Sequence, residues 1–202
     1  MNNASIQEFS DMIEEKENNL RKKVNFDTML LARMAEMRER SQLAAANIGH
    51  FWVTKAPRKH YIFSTVGSGD TYEAINPSKE LGGLWLSYVA FMDFCIQIRL
   101  QDVLEKNDRE YWCSAIDDRY VQYFSIPLTK KSRTKEPALC LTTNVDMGER
   151  GDLSVGWVYP LIEKAEEENL EICGDVWGKL LHRYHENGKY HRIIELSVPI
   201  RV

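Results

Sequence analysis

Residues 170–202 read LEICGDVWGKLLHRYHENGKYHRIIELSVPIRV. The stretch predicts a strand from Leu170 to Leu180, a tight turn at Asn187-Gly188 and a final strand from Tyr190 to Val202, because an Asn-Gly pair accepts positive φ at both turn positions. An antiparallel hairpin therefore closes the chain. Upstream, Ala138 to Thr143 (ALCLTT) reads as a strand, a glycine-containing loop runs through Asp152, and a helix spans about Ser154 to Asn169. The first half repeats this order. His60 to Val66 (HYIFSTV) is a strand closed by Gly67-Ser68-Gly69-Asp70, and Leu81 to Leu104 reads as a buried helix flowing into a strand. Tyr111 to Ala115 and Tyr120 to Ile126 then read as a hairpin about a turn at Asp117-Asp118. Strand, helix, strand, strand is written twice, over about 56–128 and 137–202, with the polar Thr129 to Glu136 (TKKSRTKE) as linker.

Residues 5 to about 46 differ in kind: they contain no Gly or Pro and are dense in helix formers. Ile6, Phe9, Ile13, Leu20, Val24, Leu31, Met34 and Met37 recur in steps of three, four or seven and draw one apolar stripe on an otherwise charged helix. Ser5 and Glu8 have capping-box spacing. A helix this long with a narrow stripe pairs with another helix, although Asp27 interrupts the stripe, and Gly49 marks its end. The expected organisation is a helical dimerisation segment over 1–48 and an α+β domain over 49–202.

The chain has 202 residues, 44% hydrophobic and 28% charged, with a formal net charge of −4. Such a composition supports a globular core without staples. No apolar run reaches the roughly 18 residues of a membrane span, and the N-terminus lacks secretory or transit features, so the expectation is a cytoplasmic protein with no membrane partner. The sequence pI of about 5.8 and the lack of a concentrated basic block argue against direct nucleic-acid contact. Cys95, Cys113, Cys140 and Cys173 have no C-x-x-C spacing and read as reduced core residues. His182, His185 and His191 lie close together but lack cysteine neighbours, and read as solvated residues near a hairpin rather than as metal ligands. There is no G-x-S-x-G elbow, phosphate loop or dinucleotide fingerprint, and no cofactor is expected.

What stands out is the aromatic load of the β-rich part. A small sheet rich in Trp and Tyr can line a pocket for flat or cationic molecules, and the expected ligand-binding residues are Trp85, Tyr88, Trp112, Trp177 and Tyr190, with Asp118 as a cation partner.

Gly174-Asp175-Val176-Trp177 followed by Ile193-Ile194-Glu195-Leu196-Ser197-Val198-Pro199-Ile200 resembles the end of GyrI-like effector-binding domains, found in AraC-type and MerR-type bacterial transcription regulators. Ser5-Ile6-Gln7-Glu8-Phe9, the long charged helix and Ala56-Pro57-Arg58-Lys59-His60-Tyr61 resemble the passage of MerR-type regulators into a dimerising helix and an effector domain. The resemblance implies a duplicated βαββ fold, a curved antiparallel sheet with two helices, and an aromatic cleft between the halves. It implies a small-molecule sensor, of the multidrug or lipophilic-ligand kind, that forms a homodimer through its N-terminal helix, here with no winged helix before it. Members binding lipophilic cations carry a Glu shortly after the glycine and aromatic of the second repeat, and hydrolytic relatives use a comparable Glu with a Tyr. Gly178 occupies the aligned position in this chain, with Asp175 as the neighbouring acid. Two alternatives stand beside the sensor: a small hydrolase of a toxic electrophile using Tyr190 and Asp118, and a protein-interaction module presenting Glu163, Glu166, Glu167 and Glu168.

Overall fold

The computed structural model describes residues 5–68, 71–75, 85–148 and 155–201. It divides into two compact units, Met1–Arg38 and Glu39–Val202. Helix α1 runs from Ile6 to Ala44. Its capping box is formed: the Ser5 amide donates to Glu8 Oε2 at 2.6 Å and the Glu8 amide to Ser5 Oγ at 3.2 Å. The helix stops at Ala44, ahead of Gly49, where Asn144 Nδ2 donates to Ala44 O at 3.0 Å and the Asn47 amide donates to Leu43 O at 3.1 Å. Gly49 then turns the chain with φ of 73°, and its amide donates to Asn144 O at 3.0 Å.

The second unit is an α+β domain built on one antiparallel sheet, as expected. Its strands are β1 (Phe51–Ala56), β2 (Lys59–Ser68), β3 (Thr71–Ala74), β4 (Met92–Ile98), β5 (Arg109–Asp117), β6 (Arg133–Lys135), β7 (Ala138–Asp146), β8 (Glu171–Ile172), β9 (Val176–Glu186) and β10 (Lys189–Arg201). The helices are α2 (Leu100–Leu104), α3 (Asp118–Phe124) and α4 (Tyr159–Glu167), with 3-10 turns at Val89–Phe91 and Val155–Trp157. The spatial order is β1-β7-β10-β9-β4-β5-β2-β3, with β6 on β2 and β8 on β10. Each half places its third strand between the first and second, β2-β5-β4 and β7-β10-β9, and the halves meet where β4 pairs with β9. The closing hairpin turns at Asn187 and Gly188 with φ of 51° and 75°.

Alternation along the strands gives the sheet two faces. One carries Ile96, Ile98, Trp112, Leu141, Val176, Ile194, Leu196 and Val198 into a core closed by Val103 of α2 and Leu161, Ile162 and Ala165 of α4. Burying each such aliphatic side chain stabilises the fold by roughly 1.5–3 kcal/mol before the cost of ordering it. The opposite face, at the same β4–β9 seam, presents Cys95 and Gln97 opposite Lys179 and Trp177.

Three expectations are corrected here. Tyr120 to Ile126 is not a strand; it lies largely in α3, where Tyr120 and Phe124, one turn apart, place their rings 4.8 and 4.9 Å from that of Phe91. Tertiary packing overrides the β preference of its aromatics, and Ser125 ends the helix with φ of 50°. Thr129 to Glu136 is not a free linker, since Arg133–Lys135 forms β6 on the edge of β2. Cys173 is exposed in the connection between β8 and β9, whereas Cys95, Cys113 and Cys140 are buried. The Leu81–Leu104 expectation resolves into the Val89–Phe91 turn, β4 and α2, while residues 81–84, Gly69, Asp70 and Ser154 lie outside the described residues.

Candidate functional site

The sheet face opposite the core closed by α2 and α4 has an aromatic centre and an ionic floor, and the end of α1 reaches it where Arg40 approaches Glu195 at 4.0 Å. Trp177 on β9 packs its ring 4.3 Å from Tyr61 and 6.3 Å from Phe63, both on β2. Cys95, Cys113 and Ala115 underlie Tyr61 in one buried cluster. Trp177 stays partly exposed, and resident cations cover both outer rings: Lys135 Nζ stands 5.0 Å over Trp177, and Arg133 Cζ stands 5.3 Å over Phe63. Both cations come from β6, which is held in place by a side chain of β2. His60 is buried, with Nε2 2.6 Å from Asp118 Oδ1 and Nδ1 3.0 Å from Thr134 Oγ1. An ionised carboxylate only accepts, so Nε2 donates to it, which leaves Nδ1 to the Thr134 hydroxyl.

Below the rings, Asp93 of β4 sits between two ammonium groups, Lys59 Nζ at 2.7 Å and Lys179 Nζ at 2.9 Å. Lys59 also lies 3.1 Å from Asp117, which Arg119 approaches at 3.7 Å. The Asp93 side chain is only 5% exposed, so this is a largely desolvated ion cluster. Burial pushes the Lys59 pKa down, but the two carboxylates outweigh it and hold the group above the ordinary lysine value. Lys179 goes the other way: burial lowers it, and Asp93, which it shares with Lys59, compensates only in part. Lys135 is also lowered, by burial first. Burial raises the Cys95 thiol to about 12 and Cys113 further still, so neither is a thiolate nucleophile near neutral pH.

The expected site residues do not converge. Trp177 is in this cluster, while Trp112 points to the other face and stacks on Phe94 at 5.1 Å. Trp85 is buried, with Nε1 donating to Pro127 O at 3.5 Å, and Tyr88 packs 5.4 Å from Phe124. Tyr190 lines a separate open cavity of about 430 Å³ with Asp146, Trp157, Lys189 and His191. Asp118 opens α3 and is taken by His60; it follows β5, which β9 and β4 separate from the β10 of Tyr190.

Gly178 faces the apolar core, where an added Cβ would come within 2.5 Å of Ile96 Cγ2. An acid at that position would point into the core, away from Trp177 and Lys179. Asp175 is committed as well, accepting from Gln97 Nε2 at 2.5 Å and from the Leu100 amide at 3.0 Å. His191 is not solvated as expected, since its Nδ1 lies 2.5 Å from Asp146 Oδ2 and its ring stacks on Tyr184 at 4.7 Å. On α4, Lys164 partly neutralises the acidic run through Glu167 at 3.4 Å and Glu168 at 3.1 Å.

The sequence reading passed over Lys59, Asp93, Lys135 and Lys179. One signal was present: in Met92–Ile98 (MDFCIQI) a lone Asp interrupts an apolar strand, and a buried carboxylate requires partners. Lys135 left no such mark because a polar edge strand looks like a loop.

The His60–Asp118 contact gives a pH prediction. The hydrogen bond from His60 holds Asp118 below its ordinary carboxylate value of 3.8. A lowered carboxylate contributes stability that is fully present above that value and is lost as pH falls through the still lower folded value. Urea midpoints of wild type and Asp118→Asn will therefore differ at neutral pH, and the difference will shrink as pH falls below the ordinary carboxylate value. A gap that stays constant over this range would show that the carboxylate's charge is not what matters.

The fold and this face together define an α+β sheet domain led by a long helix. Among solved structures, the chain is similar to the cryo-electron-microscopy structure of the EcmrR–DNA complex in EcmrR-RPo, at 12% identity and a TM-score of 0.51, over 98% of this chain and 73% of that one. It is also similar to the EcmrR C-terminal domain (10% identity, TM-score 0.47, 75% of this chain and 97% of that one). A hydrolase from Listeria innocua is similar at 12% identity and a TM-score of 0.40, over 82% of this chain and 98% of that one. The first of these shows a shared fold. No family model and no curated protein matches the chain. Among the described residues, no helix is long and apolar enough to cross a membrane.

Proposed function

We propose that this chain is the ligand-sensing, self-associating part of a MerR-like transcription regulator. A flat small molecule binds beside Trp177 on the sheet face opposite the α2–α4 core, and the apolar stripe of α1 pairs with a second copy. The observation that carries the reading is the partly exposed Trp177, backed by buried Tyr61 and ringed by charged side chains, on the face of the sheet opposite the core closed by α2 and α4. The fold shared with EcmrR, a protein solved in complex with DNA, supports it. So does the stripe, where Leu20, Val24, Leu31 and Met34 are 61%, 55%, 68% and 57% exposed on a 39-residue helix. Apolar side chains lined up this way gain by burial against a partner. Sensing requires the ligand to favour one arrangement of the pair over another.

Two measurements test this. Sedimentation equilibrium at micromolar protein will show a dimer, which Leu31→Asp with Met34→Asp converts to monomer. Titration with a panel of flat aromatics will produce saturable quenching of tryptophan fluorescence that Trp177→Phe reduces. A monomeric wild type, or quenching indifferent to Trp177, would sink the reading.

A further inference from the structure

A cation entering the face around Trp177 needs a carboxylate, and the acids there are committed. Asp93 is shared by Lys59 and Lys179, and Asp117 by Lys59 and Arg119. Asp175 is held by Gln97 and the Leu100 amide, and Glu195 is approached by Arg40 at 4.0 Å. A lipophilic cation would also compete with Lys135 and Arg133, which already lie over the rings it would stack on. For an anion the balance reverses. Among the described residues no carboxylate comes within ion-pair distance of the Lys135 ammonium, which sits part-buried against Trp177. A part-buried ammonium whose main contact is an aromatic face is incompletely compensated, and pairing it with a ligand carboxylate relieves that cost. Burial already disfavours its charged form, which is the same imbalance seen from the proton's side. Lys is well suited to this, because its four-carbon stem lets the ammonium swing to the ring edge while a planar ligand takes its place over the indole.

We infer that the sensor site takes an aromatic carboxylate, its ring on Trp177 and its carboxylate on Lys135, with Arg133 as a second cation at the rim. This rests on the sensing role proposed above and assigns its ligand class. The Lys59–Asp93–Lys179 cluster is then the fixed floor, and β6 is the specificity element.

The test uses two probes with one ring and opposite charge, 2-naphthoate and (2-naphthyl)trimethylammonium, titrated by calorimetry into the full chain. Naphthoate is expected to bind at least about tenfold more tightly than the cation, an advantage that shrinks with added salt. Lys135→Met should weaken naphthoate by about tenfold or more, while Lys135→Arg keeps binding within about threefold. Thermal melts of each variant establish that it is folded, which is expected because Lys135 is on an edge strand. If the cation binds as tightly as naphthoate and Trp177→Leu abolishes it, the anion assignment falls and the sensing role stands. If a folded Lys135→Met binds naphthoate like wild type, the assigned anchor is wrong. Should neither probe bind, the assignment also falls, and the sensing role is judged by the neutral aromatics of the wider panel.

Discussion

Gly178→Glu will abolish folding instead of creating a cation site. An added Cβ at Gly178 would lie 2.5 Å from Ile96 Cγ2 and 3.1 Å from both Ile194 Cγ2 and Leu196 Cδ2, atoms of a core closed on the other side by helices. Overpacking a filled core costs about 1–3 kcal/mol, and a carboxylate buried there without a partner costs several more. Together these rival the roughly 5–15 kcal/mol that holds a typical domain folded. The expected result is insoluble protein, or far-ultraviolet circular dichroism without the native sheet signal. Gly178→Ala isolates the steric part and will cost about 1–3 kcal/mol in urea unfolding. Adding Ile96→Ala removes the offending methyl, so the pair will lose less than the sum of the two single changes. Additive losses, or a soluble native Gly178→Glu, would mean that the position does not face Ile96.

The second large effect is at Asp93. Asp93→Asn leaves the ammonium groups of Lys59 and Lys179, 13% and 14% exposed, without the carboxylate they share. Removing one member of a buried ion cluster typically costs about 3–5 kcal/mol, because the remaining charges stay desolvated. Asp93→Asn with Lys179→Met will recover part of that loss, since one orphaned charge goes with it. Lys59 and Lys179 set the pH window. The folded value of Lys59 lies above the ordinary lysine value of 10.5, so its contribution is complete below that value and is lost only as pH rises through the folded one. Lys179, already held below the ordinary lysine value by burial, loses its counter-charge in Asp93→Asn, so the deficit of the variant in urea should shrink as pH rises toward the lysine range. A loss below about 1 kcal/mol would show the cluster to be screened like a surface pair.

Local chemistry made much of this protein legible. The capping box at Ser5 and Glu8, the run without Gly or Pro, and the Asn187-Gly188 turn each act within a few residues of themselves, and each appears as read. The α+β class followed from periodicity and turn residues, which are also local. Where the reading failed, the deciding partner was distant in sequence. Tyr120 to Phe124 became helical because Phe91 accepts their rings, and a polar segment became β6 because β2 offered an open edge.

The face around Trp177 shows the same division. The sequence alone determined that Trp177 sits on a strand beside a glycine and that the sheet is rich in aromatics. Only the tertiary structure decided that Gly178 points into the core and Trp177 away from it, because a strand's two faces are interchangeable until its neighbours pair with it. It also brought Lys59, Asp93 and Lys179, from three strands, to one point. An isolated strand carries no record of such a meeting, because the attraction between those charges exists only once the sheet has formed and excluded the water between them.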